Sequence, residues 1–129
     1  MPKYWFDHIH LISQDPVTTA SFYEKTFGAK RDGFMELPDG RTLVSVALDG
    51  ASIKVTNPRP EPLVPNTLPN GCGLEHFGLR TDNIEEAVAE LKAKGIKCVQ
   101  EIKTINPTTK IAFFLSPEDI LIELLEVSG

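Results

Sequence analysis

The chain lacks the features that mark several large classes of protein. It has only two cysteines, Cys72 and Cys98, with no CxxC spacing, so neither a disulfide framework nor a cysteine zinc site is indicated. Its 13 basic residues are outnumbered by 18 acidic ones, which speaks against binding to nucleic-acid phosphates. No apolar run could span a bilayer, and MPKYWFDHIH has no signal-peptide core. We therefore expect one cytoplasmic domain, residues 1–129, with reduced thiols and no membrane or nucleic-acid partner.

The chain contains an internal repeat. FDHIHLISQDPVTTASFYEKTFGAK aligns with LEHFGLRTDNIEEAVAELKAKGIK, which pairs His8 with His76. Further on, IKV aligns with IEL, which pairs Lys54 with Glu123. The repeat predicts a first module over residues 5–58 and a second over residues 72–127. Between them, residues 59–71 form a Pro-rich connector, because closely spaced prolines exclude both helix and central strand.

Each copy predicts the element order βαβββ. HIHLIS and EHFGLR alternate as strands do, and an amphipathic helix follows each. Asp15 and Pro16 start the first helix and Gly28 ends it, whereas Asp82, with Glu85 three residues on, is predicted to cap the second. The strands predicted next are KRDGFMEL, TLVSVAL and ASIKVTN in the first copy, and KCVQEI, KIAFFL and ILIELLEV in the second. The fold class is therefore α+β, with two paired βαβββ modules.

Polar side chains recur at equivalent positions of the two copies. Because alternate residues of a strand share a face, His8 and His10 lie opposite the apolar row that the first helix covers. If the two sheets curl toward each other around a cleft, His8, Lys54, His76 and Glu123 meet there. Two imidazoles and one carboxylate suit a divalent first-row metal such as Ni, Zn, Mn or Fe. The alternative is that these histidines are hydrogen-bonded structural residues and no metal binds.

The chain resembles the vicinal-oxygen-chelate superfamily along nearly its whole length. The resemblance rests on FDHIHLISQD and FYEKTFGAK, on LEHFGLRTDNIEEAVAELKAKGI, and on FFLSPEDILIELLE. This superfamily includes glyoxalase I, methylmalonyl-CoA epimerase, fosfomycin-resistance proteins, extradiol dioxygenases and bleomycin-resistance proteins. The resemblance implies the glyoxalase-like fold, a U-shaped cavity and a homodimer. It also implies that His8, His76 and Glu123 match the first, third and fourth of four metal ligands.

Lys54 departs from the pattern of that superfamily. The second ligand is Glu or Gln in glyoxalase-type and epimerase-type members, so a strict lactoylglutathione lyase is disfavoured. In one alternative Lys54 pairs with Glu123, no metal binds, and the chain is a small-molecule binding or sequestration protein like the bleomycin-resistance proteins. In the favoured alternative His8, His76 and Glu123 form a two-His-one-carboxylate site, and Lys54 neutralises an anionic substrate. In a third, His10 joins as a further ligand.

The favoured interpretation is a metal-dependent lyase, isomerase or oxygenase acting on a small, oxygenated, anionic metabolite. His10 is the candidate general base because it is the nearest titratable residue on the metal-site face. Lys54 is a candidate for both catalysis and substrate binding. Arg80, which continues the face of His76, and Phe114, one of two adjacent phenylalanines on one strand, are candidate substrate-binding residues.

Overall fold

The computed structural model describes residues 1–63, 71–117 and 120–128. Its elements in chain order are β1 (Tyr4–Ile12), α1 (Pro16–Phe27), β2 (Lys30–Glu36), β3 (Thr42–Leu48), β4 (Ala51–Thr56), β5 (Gly73–Thr81), α2 (Ile84–Ala93), β6 (Lys97–Asn106), β7 (Thr109–Ser116) and β8 (Ile120–Val127). The order βαβββ occurs twice, which confirms the predicted α+β class. Neither described helix is long and apolar enough to cross a membrane.

The chain divides into two compact units. The first unit is His8–Glu75, and the second unit is Met1–Asp7 together with His76–Gly129. In the first, the strand order is β2-β3-β4-β1 and β1 runs parallel to β4. In the second, the order is β5-β8-β7-β6 and β5 runs parallel to β8. The module bounds 5–58 and 72–127 stay a prediction, and residues 64–70 of the predicted connector lie outside the described residues.

Helix α1 begins and ends where the sequence predicts. The Asp15 carboxylate accepts a hydrogen bond from the Thr18 backbone N–H at 3.1 Å, and Pro16 is the first helical residue. Gly28 ends the helix at φ 78°, a left-handed conformation that glycine adopts without steric cost. Under α1 lies a core of Ala20, Ala29, Val44 and Val46, against which Tyr23, Leu48 and Ile53 pack. Burial of this apolar row leaves the alternate residues of β3 and β4 on the other face of the sheet.

Helix α2 begins one residue later than predicted. Its N-cap is Asn83, whose side-chain oxygen accepts from the Glu86 backbone N–H at 3.0 Å, so the assignment of this cap to Asp82 is wrong. Strand β5 continues to Thr81, and the Asp82 carboxylate instead accepts from the Lys3 backbone N–H at 3.0 Å. The buried core beneath the helix comprises Ile84, Ala87, Val88, Ala112, Phe114 and Leu124.

Candidate metal centre

Two buried histidines lie on β1 in the first unit. The exposed fraction is 0% for His8 and 7% for His10, and their ring centroids are 6.1 Å apart. In the parallel pairing of β1 with β4, His8 lies opposite Ser52 and His10 lies opposite Lys54. The first unit therefore contains His8 and His10 on one strand and Lys54 beside His10 on the next, as strand alternation and the repeat predicted.

The second unit contains a buried imidazole–carboxylate pair. His76 on β5 is 1% exposed, Glu123 on β8 is 8% exposed, and His76 Nε2 lies 3.3 Å from Glu123 Oε1. The ring of Phe113 packs edge-to-face against His76 with centroids 5.2 Å apart, and Phe113 lies opposite Glu123 in the pairing of β7 with β8. The aromatic contact restricts the rotation of the imidazole, so its Nε2 is held beside the carboxylate.

The donor chemistry of this pair fits a divalent metal. With bonds of about 2.1 Å, two ligand atoms on one ion stand roughly 3.0–3.4 Å apart in octahedral or tetrahedral geometry. The observed 3.3 Å between His76 Nε2 and Glu123 Oε1 falls in that range. His8, His10 and His76 are all buried, and each offers one ring nitrogen as a possible ligand. A metal ion at this position would add a positive charge beside the buried carboxylate.

The strand registers support the equivalence of Lys54 and Glu123. Lys54 lies opposite His10 where β4 pairs with β1, and Glu123 lies opposite Gly78 where β8 pairs with β5. Because His10 and Gly78 each lie two residues beyond the aligned histidines, Lys54 and Glu123 occupy the same place in the two copies. The half-buried Lys54 is flanked by His10 on one neighbouring strand and by Ser45 on the other.

The two predicted substrate-binding residues of the second unit have different surroundings. Arg80 forms an ion pair with Asp7, with Nη2 2.9 Å from Oδ1, and its buried Nε has no hydrogen-bond partner in the described part of the chain. Phe114 belongs to the apolar core beneath α2, whereas Phe113 contacts His76. The two adjacent rings therefore lie on opposite faces of β7. A substrate contact of Phe114 stays a prediction, and Phe113 is the aromatic ring on the face of the histidine.

Three residues of the first unit that were not among the predicted site residues form a hydrogen-bonded chain that ends at His10. Thr56 Oγ1 lies 2.8 Å from His10 Nε2, and Arg41 Nη1 lies 3.5 Å from the same oxygen. Asp39 accepts from the Nε of Arg41 at 2.8 Å. Burial acts to raise the pKa of Asp39, but the hydrogen bonds and charge of Arg41 outweigh it, and the pKa is lowered. Strand alternation places Thr56 on the face of Lys54, which was the only sequence signal for this group.

The cysteines lie apart from this chemistry. Cys72 and Cys98 are both free, as expected, and both are half-buried. Burial raises the pKa of the Cys98 thiol, so this sulfur is mainly protonated at neutral pH.

Comparison with known proteins assigns the chain to a superfamily. The sequence model of the Glyoxalase/Bleomycin resistance protein/Dioxygenase superfamily matches residues 5–124. Human mitochondrial methylmalonyl-CoA epimerase is 30% identical over 125 residues, which cover 92% of this chain and 71% of that protein. The uncharacterised protein YaeR of Escherichia coli strain K12 is 29% identical over 123 residues, which cover 92% of this chain and 93% of that protein.

Solved structures share the fold. BH1468 from Bacillus halodurans C-125 superposes with a TM-score of 0.79 at 21% identity, covering 98% of this chain and 96% of that chain. Methylmalonyl-CoA epimerase from Streptomyces coelicolor, in complex with 2-nitronate-propionyl-CoA, gives 0.75 at 23% identity and covers 96% and 97%. At this identity the structural likeness shows the fold alone. The chain belongs to the Glyoxalase/Bleomycin resistance protein/Dioxygenase superfamily.

Proposed function

We propose that this protein is a metal-dependent isomerase that acts on a small anionic acyl thioester of the CoA type. His8, His76 and Glu123 are the proposed metal ligands. The observation that carries the proposal is the buried pair of His76 and Glu123, whose 3.3 Å spacing suits two ligands of one ion. The isomerase class and the thioester substrate are supported by the human relative, which is named as a methylmalonyl-CoA epimerase.

A divalent ion bound by these residues would polarise a substrate carbonyl oxygen and stabilise the enolate that forms when the neighbouring carbon loses its proton. The two histidines must be neutral and Glu123 must be ionised for the site to form. Lys54 supplies a positive charge rather than a fourth ligand, because an ammonium group must lose its proton before it can bind a metal. We propose that Lys54 pairs with a carboxylate or enolate oxygen of the substrate.

Two further residues are proposed to act on the substrate. His10 is the proposed catalytic imidazole, since it is buried and lies opposite Lys54 on the adjacent strand. Arg80 is a proposed anion-binding residue, because its positively charged side chain is 31% exposed, although its Nη2 already pairs with Asp7. The metal-free binding protein gains no support from the human relative, and a homodimer and a cytoplasmic location stay predictions.

The metal site is tested by elemental analysis of untagged protein purified without chelators, followed by titration with nickel, manganese, zinc and ferrous iron. We expect near-stoichiometric metal in the wild type and at least a roughly tenfold loss of affinity, about 1.4 kcal/mol, in His76→Ala and Glu123→Gln. Glu126→Gln is the matched control, because Glu126 is on the same strand but accepts from the Ile84 backbone N–H at 2.9 Å. Absence of metal, with no uptake at micromolar concentration, would contradict the proposal.

The reaction is tested by incubating metal-loaded enzyme with methylmalonyl-CoA in deuterated water and following deuterium incorporation by mass spectrometry. When the carbon between the two carbonyl groups loses its proton and takes up a deuteron from the solvent, the substrate gains deuterium. Acetyl-CoA serves as the control because it lacks the carboxylate. We expect exchange in methylmalonyl-CoA and none in acetyl-CoA. If metal binds but neither thioester exchanges, the metal site stands and the substrate class is wrong.

A further inference from the structure

A buried hydroxyl group links His10 to a cation in the first unit. Thr56 is 0% exposed and His10 is 7% exposed. Thr56 Oγ1 lies 2.8 Å from His10 Nε2, which is a good hydrogen-bond distance, and 3.5 Å from Arg41 Nη1, which is a long one. The hydroxyl group is bonded to the branched Cβ of threonine, a side chain with few accessible rotamers, so its position on β4 is well fixed.

The direction of the hydrogen bond follows from what each group can do. A guanidinium group has only donors, so Arg41 cannot accept the proton of the Thr56 hydroxyl. Among the described residues, the side-chain partners of Thr56 Oγ1 are Arg41 and His10 alone. A buried hydroxyl proton requires an acceptor, and the His10 Nε2 atom is the one within reach. The hydroxyl therefore donates to Nε2, and donation from Arg41 to Oγ1 strengthens it as a donor.

The cation behind Thr56 is itself held in place. The side chain of Arg41 is 13% exposed, and its Nε donates to Asp39 Oδ2 at 2.8 Å. The backbone N–H of Arg41 donates to the other oxygen of the same carboxylate at 3.2 Å. The backbone bond holds the Asp39 carboxylate beside Arg41, and the Nε bond then limits the rotation of the guanidinium. The chain of donors therefore runs from Arg41 through Thr56 to His10.

We infer that Thr56 and Arg41 are positioning residues that fix His10 as the neutral tautomer with its proton on Nδ1. In that form Nε2 accepts from Thr56 and Nδ1 carries the ring proton, so neither ring nitrogen in the resting protein offers a lone pair to a proton or a metal ion. The catalytic role of His10 is then the electrophilic role of a neutral imidazole. This last role rests on the proposed function, whereas the tautomer does not.

The tautomer is measured directly by long-range proton–nitrogen correlation NMR on uniformly nitrogen-15-labelled, metal-free protein. The chain has three histidines, so His8→Gln and His76→Gln are enough to assign the His10 signals. We expect a protonated Nδ1 and an unprotonated Nε2 at His10 in the wild type and in Thr56→Ser, which keeps the hydroxyl. A protonated Nε2 in the wild type would overturn the inference, and this holds even if other variants fail to fold.

A second NMR experiment removes the hydroxyl group of Thr56. In Thr56→Val, which has nearly the same shape, we expect His10 to shift toward the tautomer protonated on Nε2. Thr81→Val is the matched control, because Thr81 is also buried, at 2% exposed, but lies in the second unit. A His10 spectrum in Thr56→Val that matched the wild type would show that Thr56 does not set the tautomer.

Zinc loading and kinetics complete the test. On addition of zinc, the nitrogen signals of His8 and His76 are expected to shift and those of His10 to stay, whereas a shift typical of coordination at His10 would overturn the inference. With an active substrate, Thr56→Val should lower kcat by about 10- to 100-fold with little change in KM, and Thr56→Ser should restore it. The NMR experiment on metal-free protein needs neither metal nor substrate, so its failure is distinguishable from failure of the proposed function.

Discussion

At the scale of single residues, the reversal of charge between Lys54 and Glu123 decides the ligand number of the proposed metal site. The strand registers place the two at the same position of the two copies. We therefore expect Lys54→Glu to raise metal affinity by about tenfold, which corresponds to ~1.4 kcal/mol, because it replaces a repelling ammonium with an oxygen ligand. The measurement is isothermal titration calorimetry with manganese.

Lys54→Leu separates the two effects of Lys54→Glu on metal affinity, which are the loss of a positive charge and the gain of an oxygen ligand. The leucine side chain removes the positive charge without adding a ligand, so it should raise affinity less than glutamate does. If leucine and glutamate raised affinity equally, relief of charge repulsion alone would explain the gain, and the residue at this position would not reach the metal. If neither changed it, the proposed ligand set would be wrong.

The sequence could predict those candidate residues whose placement depends on local patterns. It could not predict contacts between residues that are far apart in sequence. Strand alternation is local, so it placed His8 and His10 on one face. It did not identify which phenylalanine contacts His76, because that depends on the register between β7 and β8. The contact of Thr56 with His10 spans 46 residues and required the pairing of β1 with β4, which no local pattern specifies.

At the scale of elements, the N-cap of α2 is Asn83, one residue after the Asp82 that the sequence predicted, and this difference can be tested. Asn83→Ala should destabilise the protein by about 1 kcal/mol, because the Glu86 backbone N–H loses its side-chain acceptor at the helix end. Asp82→Ala should cost less, since this carboxylate only accepts from an exposed backbone N–H of Lys3. Urea unfolding at neutral pH measures both. A larger loss of stability in Asp82→Ala than in Asn83→Ala would show that Asp82 is the N-cap, as the sequence predicted.

The two helix starts differ in how strongly the sequence specifies them. At α1, Pro16 lacks a backbone N–H and fits only the first turn, so Asp15 is the one residue that can cap. At α2, Asp82 and Asn83 are adjacent and both residue types cap well. The choice between them depends on where β5 stops pairing, at Thr81, which is a tertiary effect.

At the scale of the whole chain, duplication made the fold predictable. Two copies of the order βαβββ reinforce each other, so an ambiguous strand in one copy is supported by its equivalent in the other. The same parallel pairing recurs, β1 with β4 and β5 with β8. The copies have diverged in their chemistry, since the first carries two histidines and a lysine where the second carries one histidine, a glycine and a glutamate. The repeat thus determines the positions of the candidate residues but not their function.

The first unit contains an ion pair that the sequence did not indicate. Arg59 follows β4, Glu75 lies in β5, and the guanidinium donates from Nε and Nη2 to the two carboxylate oxygens, each at 2.9 Å. The side chains are 17% and 13% exposed, so water screens this pair less than a surface pair. The bidentate geometry holds together two residues that lie 16 positions apart in sequence.

We expect the Arg59–Glu75 coupling to be about 1–2 kcal/mol, between the values typical of exposed and buried ion pairs. Both residues make further contacts, so single substitutions would overstate the pair, and a double-mutant cycle of Arg59→Ala and Glu75→Ala in urea isolates it. The control cycle uses Lys92 and Glu101, whose side chains are 45% and 68% exposed and should show no measurable coupling. Equal coupling in the two cycles would mean that partial burial and bidentate geometry add nothing to the strength of the Arg59–Glu75 pair. Stronger coupling in the Arg59–Glu75 cycle would mean that this pair contributes to stability, a contribution that the repeat does not predict.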